Sequence, residues 1–203
     1  MSEGSGGARQ AGPPPFVHPS AIVDAGAVLE PGVKIWHFAH VCSGAVVGAG
    51  SVLGQGCYVG PGVRIGKGCK IQNHVSVYEG VTLADDVFVG PHAAFTNVRN
   101  PRAHVSRRGE FALTNVARRV TIGCNATIVC GVTLGEGSFV AAGAVVTRDV
   151  APRALVMGAP ARAVGHACDC GERLPTPSLC CSRCSQAYRA VAGGGLEPVQ
   201  GRA

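Results

Sequence analysis

The chain has 203 residues with 30 Gly and 13 Pro, 46% hydrophobic and only 5% aromatic, so it is too apolar for wholesale disorder and too often broken for a helical bundle. Its net charge is +6, and 15 of its 18 basic residues are Arg, whose fork matches phosphate and carboxylate better than Lys does. Because these arginines are neither interleaved with aromatics nor laid on a recognition helix, small phosphorylated ligands are expected and nucleic acid is not. In chain order, residues 1–15 (MSEGSGGARQAGPPP) read as a disordered tail, with neither the basic start nor the apolar stretch of a secretion signal. No later run reaches the roughly 18 to 20 apolar residues of a membrane-spanning helix, so a cytoplasmic protein without a membrane partner is expected.

From Val23 an aliphatic residue recurs at every sixth position: Val23, Leu29, Ile35, Val41, Val47, Leu53, Val59, Ile65, Ile71, Val77, Leu83 and Val89, closing on Phe95. Four residues after each comes a small or β-branched side chain, as at Ala27, Ala39, Ser51, Cys57 and Cys69. After an interruption the series resumes at Ile122, Ile128, Leu134, Val140 and Val146. A period of six fits neither a helix nor a plain strand, so each unit is one short strand and one sharp corner. Three units close a triangular coil, and stacked coils bury one aliphatic and one small residue per hexad in a core too narrow for aromatics. About six coils are expected over residues 16–165.

This repeat resembles that of the hexapeptide-repeat transferases. The resemblance implies an all-β fold, a left-handed parallel β-helix; the hand comes from it alone, since the usual crossover rule gives the opposite. It also implies a homotrimer with active sites in the clefts between subunits, and a closed three-fold ring suits a heterologous contact.

The interruption runs from Val98 to about Arg119. The step from Phe95 to Ile122 is not a whole number of hexads, so the segment is expected to leave the coil as a protruding loop, over 98–119, of the functional kind. Positions three hexads apart become stacked neighbours about 4.8 Å apart. Asn97 then stands above Glu79 in one outward column, His92 above His74 and Gly56 in the next, and Asn73 between Gln55 and Pro91. These polar groups are expected to gather on one edge of the prism where the loop departs. The plainer alternative for His74 and His92 is a pair of solvated corner residues. Zinc chemistry of the carbonic-anhydrase kind needs three convergent His, and a third is not evident.

Beyond the repeats lies a Cys-rich segment, residues 166–203. Ten Cys without a secretion signal argue against a disulfide scaffold. Cys57 and Cys69 fall on small inward positions, whereas Cys168, Cys170, Cys181 and Cys184 form a C-x-C...C-x2-C set able to hold a structural Zn2+. The alternative is a disordered Cys-rich tail.

Four segments carry a narrower resemblance: IWHFAHV, GQGCYVGPGVRIGKGCKIQNHVSVYEGVTLADDVFVGPHAAFTNVRNPR, TIGCNATIVCGVTLGEGSFVAAGAVVTRDV and ALVMGAPAR. They are similar to the nucleotide-sugar 3-N-acetyltransferases, above all those that acetylate UDP-2-acetamido-3-amino-2,3-dideoxy-D-glucuronic acid for bacterial surface polysaccharide. Enzymes acting on dTDP-3-amino-3,6-dideoxyhexoses share most of the pattern. The resemblance implies acetyl-CoA as cosubstrate and a nucleotide sugar as acceptor. Asn97 would hold the 3-amino group, an amide being able to accept its hydrogen bond without taking a proton. His92 ranks second, as a general base. Asn73, His74, Tyr78 and Glu79 would line the sugar-nucleotide cleft, with Arg99 and Arg102 offered to pyrophosphate or uronate, or else merely solvated in the loop. Ala142 and Gly143 would bring close backbone to the pantetheine arm and Arg162 would meet a CoA phosphate, although Gly143 reads equally well as a tight corner. Pro160 is expected to end the final strand. A non-catalytic β-helical scaffold would have uninterrupted repeats and no polar column at the loop base.

Overall fold

Each hexad becomes a strand of two residues, the first facing outward and the second, aliphatic, facing inward, as in Lys34–Ile35, Val52–Leu53 and Lys70–Ile71. The rest of each hexad turns the corner. In the computed structural model, which describes residues 12–199, these strands stack into three sheets of nine, seven and six strands, parallel throughout except for the last strand of the first. Residues 1–11 of the expected tail lie outside the described residues.

The register is the sequence period made physical. Lys34 pairs with Val52, Val52 with Lys70 and Lys70 with Phe88, one full coil of three hexads at each step. The first face carries these strands. The second carries His40–Val41, Tyr58–Val59, Ser76–Val77, Ala94–Phe95, Thr127–Ile128 and Val145–Val146, and the third carries Val46–Val47, Arg64–Ile65, Val81–Leu83 and Thr114–Val116. Ile35, Leu53, Ile71, Leu83, Ile122, Ile128 and Leu134 are among the largest fully buried side chains, while Val23 and Leu29 of the first coil are only partly covered. Ser51 belongs in this core because its hydroxyl donates to the Gly66 carbonyl at 2.8 Å and accepts from the Cys69 amide at 2.9 Å. The backbones of successive coils approach so closely that a Cβ on Gly48 would lie 2.5 Å from the Gly66 carbonyl carbon. Among the described residues the only helical segment is the short 3-10 turn Ala192–Gly194.

The loop is shorter than its expected bounds of 98–119. Thr114–Val116 is already a coil strand, with Val81 paired to Thr114 and Asn115 to Thr133. Everything in the step from Val81 to Thr114 beyond the three hexads of a normal coil is insertion, and it leaves and rejoins between Asn97 and Thr114. Val116 is the inward aliphatic that restarts the series one hexad before Ile122, and it is buried. Pro160 does not end the final strand. It sits in the turn joining Ala154–Met157 to an antiparallel partner, Arg162–His166.

Beyond this hairpin the chain folds back over the C-terminal end of the prism. Tyr188–Val191 and Gly195–Pro198 form a two-stranded sheet, and Cys168, Leu174, Cys181, Tyr188 and Leu196 make a small core of their own. Leu196 donates its amide to the Pro152 carbonyl at 3.0 Å, and Ala167 donates to Arg153 at 2.8 Å. Arg153, almost fully buried, pairs with Asp169 and lies over the Tyr188 ring.

Candidate active-site edge

One prism edge, between the first and second faces, is built from a single recurring corner. The His74 amide donates to the Gln55 carbonyl at 2.8 Å, His92 to Asn73 at 3.1 Å, Asn125 to Pro91 at 3.0 Å and Gly143 to Cys124 at 2.8 Å. Coil by coil the edge therefore carries Gly56, His74, His92, Asn125 and Gly143, all in the left-handed backbone region. That conformation disfavours a Cβ, which makes the two histidines there notable. Their rings stack with centroids 5.1 Å apart and planes 17° apart. His74 can lie over Gly56 only because that residue has no side chain: a Cβ would sit 2.6 Å from its Nδ1. Gly143, with Ala142 beside it, stands two coils from His92, about 10 Å along the edge.

On the second face this edge opens into a pocket of about 210 Å³ lined by His74, Ser76, Tyr78, His92, Ala94 and Phe95. Asn73 is exposed on the outer side of the edge, in a separate depression with Trp36, His37 and Gln55. Its side-chain oxygen accepts the Gln55 amide at 3.0 Å, so half of its carboxamide braces the coil below.

Asn97 lies elsewhere. The extended chain from His92 to Asn97 covers roughly 15 Å, which crosses the whole second face. The expected gathering of the polar columns on one edge is thus corrected: His74 and His92 occupy one edge, Glu79 and Asn97 the other. The loop departs from the Asn97 edge, where its neck is pinned. The Asn97 carbonyl accepts from Ala112 at 3.0 Å, and the hydroxyls of Thr96 and Thr114 accept from the consecutive amides of Cys130 and Gly131 at 2.9 and 3.3 Å. Among the described residues the Asn97 carboxamide has no hydrogen-bond partner. Arg99 lies over Gly131, where a Cβ would meet its guanidinium at 2.7 Å. Arg102 is exposed and bridges through its backbone to Val105. Arg162 is at the C-terminal end of the prism, in a pocket of about 280 Å³ with Arg148, Asp149 and Gly194 that neither Ala142 nor Gly143 joins.

The second face also holds a cluster that residue-by-residue reading passed over. His40 Nε2 is 3.1 Å from Asp24 Oδ1 and 3.9 Å from Cys42 Sγ. The Tyr58 ring is 5.8 Å from both His40 and Tyr78, continuing the aromatic surface toward the pocket. Its hydrogen bond to Cys42, together with partial burial, pushes the Tyr58 phenol up to about 12. Asp24 and Cys42, like His40 and Tyr58, are one coil apart, so the column rule already contained them. Cys57 and Cys69 are buried in the coil, and that desolvation raises both thiols. In the C-terminal segment the sulfurs of Cys168, Cys170, Cys181 and Cys184 all lie within 4.8 Å of one another. A backbone amide hydrogen bond from Cys184, with another from Arg183, pulls Cys181 down to about 6.

Comparison with known proteins agrees with this architecture. The model of the bacterial transferase hexapeptide (six repeats) matches residues 26–61 and 62–97, and that of the hexapeptide repeat of succinyl-transferase matches 44–79 and 118–148. The unmatched stretch between them holds the loop and the coil strand Thr114–Val116 that follows it. A hexapeptide-repeat-containing acetyltransferase of Vibrio cholerae O1 biovar eltor, solved in complex with acetyl coenzyme A, superposes with a TM-score of 0.53 at 30% identity, over 61% of this chain and 70% of that one. The chain belongs to the hexapeptide-repeat transferase family. Two curated relatives each match 41% of it: a putative acetyltransferase of Schizosaccharomyces pombe, 37% identical, and the dTDP-3-amino-3,6-dideoxy-alpha-D-galactopyranose 3-N-acetyltransferase of Aneurinibacillus thermoaerophilus, 38% identical. The chain spans 42% and 44% of the lengths of these relatives.

Proposed function

We propose that the protein is an acetyl-CoA-dependent N-acetyltransferase acting on the amino group of a nucleotide-linked amino sugar. The observation that carries this reading is the edge where stacked His74 and His92 open on a pocket, with the Ala142–Gly143 corner two coils away. A thioester arm lying along such an edge would bring its carbonyl to the histidines, and an acceptor in the pocket would meet it there. The relatives add that this repeat serves acetyl transfer, and one of them is named for a 3-amino sugar nucleotide.

In the reaction a neutral amine attacks the thioester carbonyl, the new N–C bond forms, and collapse of the tetrahedral intermediate breaks the C–S bond. The amine proton passes to His92, which returns it to the departing CoA thiolate. Asn97 would orient the amine by accepting its hydrogen bond. Asn97 and His92 stand on opposite edges of one face, so both can serve one reaction centre if the Asn97 edge and loop of one copy meet the His92 edge of the next in a closed three-fold ring. Mixed assemblies test this. His92→Ala and Asn97→Ala should each lose most turnover, and co-assembly of the two should restore part of it through the sites holding neither substitution. Full activity of either single variant removes that residue, and absence of any recovery in mixed assemblies removes the shared centre.

The acceptor we favour is UDP-2-acetamido-3-amino-2,3-dideoxy-D-glucuronate, with Arg99 or Arg102 meeting pyrophosphate or uronate, in the making of bacterial surface polysaccharide. A dTDP-3-amino-3,6-dideoxyhexose is the second reading, favoured by the Aneurinibacillus relative. Thiol release from acetyl-CoA, measured with each acceptor, separates them. Activity with the dTDP sugar alone overturns the first.

A further inference from the structure

Independently of acetyl transfer, the C-terminal segment carries an assembly that the proposed reaction does not use. Cys168 and Cys170 come from the turn after the last coil hairpin, and Cys181 and Cys184 from a second turn that folds back on it. Cys168 Sγ is 3.4 Å from Cys184 Sγ, and Cys170 Sγ is 3.5 Å from Cys181 Sγ. Disulfide bonding brings sulfurs to about 2.05 Å. A tetrahedral zinc ion with Zn–S bonds of about 2.3 Å spreads its sulfurs about 3.8 Å apart. The observed separations are close to the second geometry.

Hydrogen-bond donors surround the sulfurs. The backbone amide of Glu172 hydrogen-bonds Cys170, those of Cys184 and Arg183 bond Cys181, and that of Gln186 bonds Cys184. Cys168 meets the Tyr188 hydroxyl at 3.2 Å. Every sulfur thus has a donor beside it, as outer-shell groups of metal sites do. Four thiolates on one divalent ion leave a net double negative charge, and buried Arg153 lies nearby: its guanidinium is 5.1 Å from the Tyr188 ring centroid and pairs with Asp169, between two of the cysteines. The apolar core of this segment is only a handful of residues, too small to hold a separate unit of this length without a staple.

We propose that Cys168, Cys170, Cys181 and Cys184 bind one structural zinc ion, which clasps the C-terminal segment over the open end of the β-helix through Asp169 and Arg153. With four protein ligands the site has no open position, so its role is structural. Zinc precedes iron(II) for such a set in the order of divalent affinities.

The test uses the full chain, expressed and purified under reducing conditions without chelator, and analysed by plasma mass spectrometry for bound metal. About one zinc per chain is expected. Cys181→Ser/Cys184→Ser should lose at least about nine-tenths of it, whereas Cys180→Ser, changing an adjacent exposed thiol, should keep it. Should the double variant fail to fold, cobalt exchanged into the wild-type chain provides a second readout, with intense thiolate-to-cobalt charge-transfer and tetrahedral visible bands expected. Metal-free soluble wild type, iron in place of zinc, equal loss in Cys180→Ser, or octahedral cobalt spectra would each overturn the proposal.

Discussion

Removing Asp169 should loosen the C-terminal segment while leaving the coils intact. The Arg153 side chain is 3% exposed and has two carboxylate partners, Asp169 in close contact and Glu136 at 3.9 Å. Stripping one partner from a buried ion pair costs about 3 to 5 kcal/mol. Here the cost falls at or below the bottom of that range, because Asp169 is itself 30% exposed and Glu136 retains some of the compensation. The Arg119 contact to Asp169 is long, at 3.4 Å, and its arginine is half exposed, so its loss adds at most about 1 kcal/mol. Asp169→Ala is therefore expected to cost about 2 to 3 kcal/mol in docking of the segment. Global denaturation is the wrong readout, since stacked repeats need not unfold as one unit. Hydrogen exchange resolves the local event. The amides of Leu196 and Ala167, which donate to Pro152 and Arg153, should exchange roughly 30 to 150 times faster, while the Tyr58 amide, bonded to Val75 within the coil, stays unchanged. Arg153→Met removes the charge as well as the pairing and should cost less than about 1.5 kcal/mol. Less than about a threefold change in Asp169→Ala, or an equal effect of Arg153→Met, would refute the reasoning.

Two further substitutions test other parts of the molecule. Gly56→Ala puts a Cβ at φ +65° and 2.6 Å from His74 Nδ1, so it should displace that ring from His92, cost about 1 to 2 kcal/mol in thermal unfolding and reduce kcat/KM severalfold; a variant of full activity would detach the histidine stack from function. Thr114→Val keeps the shape of a fully buried side chain but removes the acceptor of the Gly131 amide. It should destabilise the loop neck by about 1 to 2 kcal/mol, read as faster proteolysis between Val98 and Leu113, and an unchanged cleavage rate would show that this hydroxyl is dispensable.

The coil could be read from the chain because a repeat repeats its environment. Ile35, Leu53 and Ile71 are interchangeable members of one inward row, so a period of six, with Gly at the corners, suffices to specify strand, turn and stacking. The same arithmetic correctly stacked His92 on His74 and gathered Cys57 and Cys69 into the core. It failed at the loop. Between Phe95 and Ile122 only Val116 marks the returning coil, and nothing local to that residue distinguishes it from another valine until Val81 pairs with Thr114. It failed again across the second face, because a column rule measures distance along the prism axis and says nothing of distance around it. His92 and Asn97 look adjacent in sequence, yet in extended backbone the stretch between them spans an entire face.

The sequence by itself determined the repeating part of the protein: the three-sided coil, its narrow aliphatic and small-residue core, and the vertical order of its outward side chains. Each of these follows from a local rule applied over and over. The tertiary structure alone decided which edge each polar column occupies, where the loop rejoins, and that the four-cysteine set read from its spacing lies beside a buried arginine. Those outcomes depend on how the chain closes on itself around and beyond the coil, where no period constrains it and only packing and charge compensation select the arrangement.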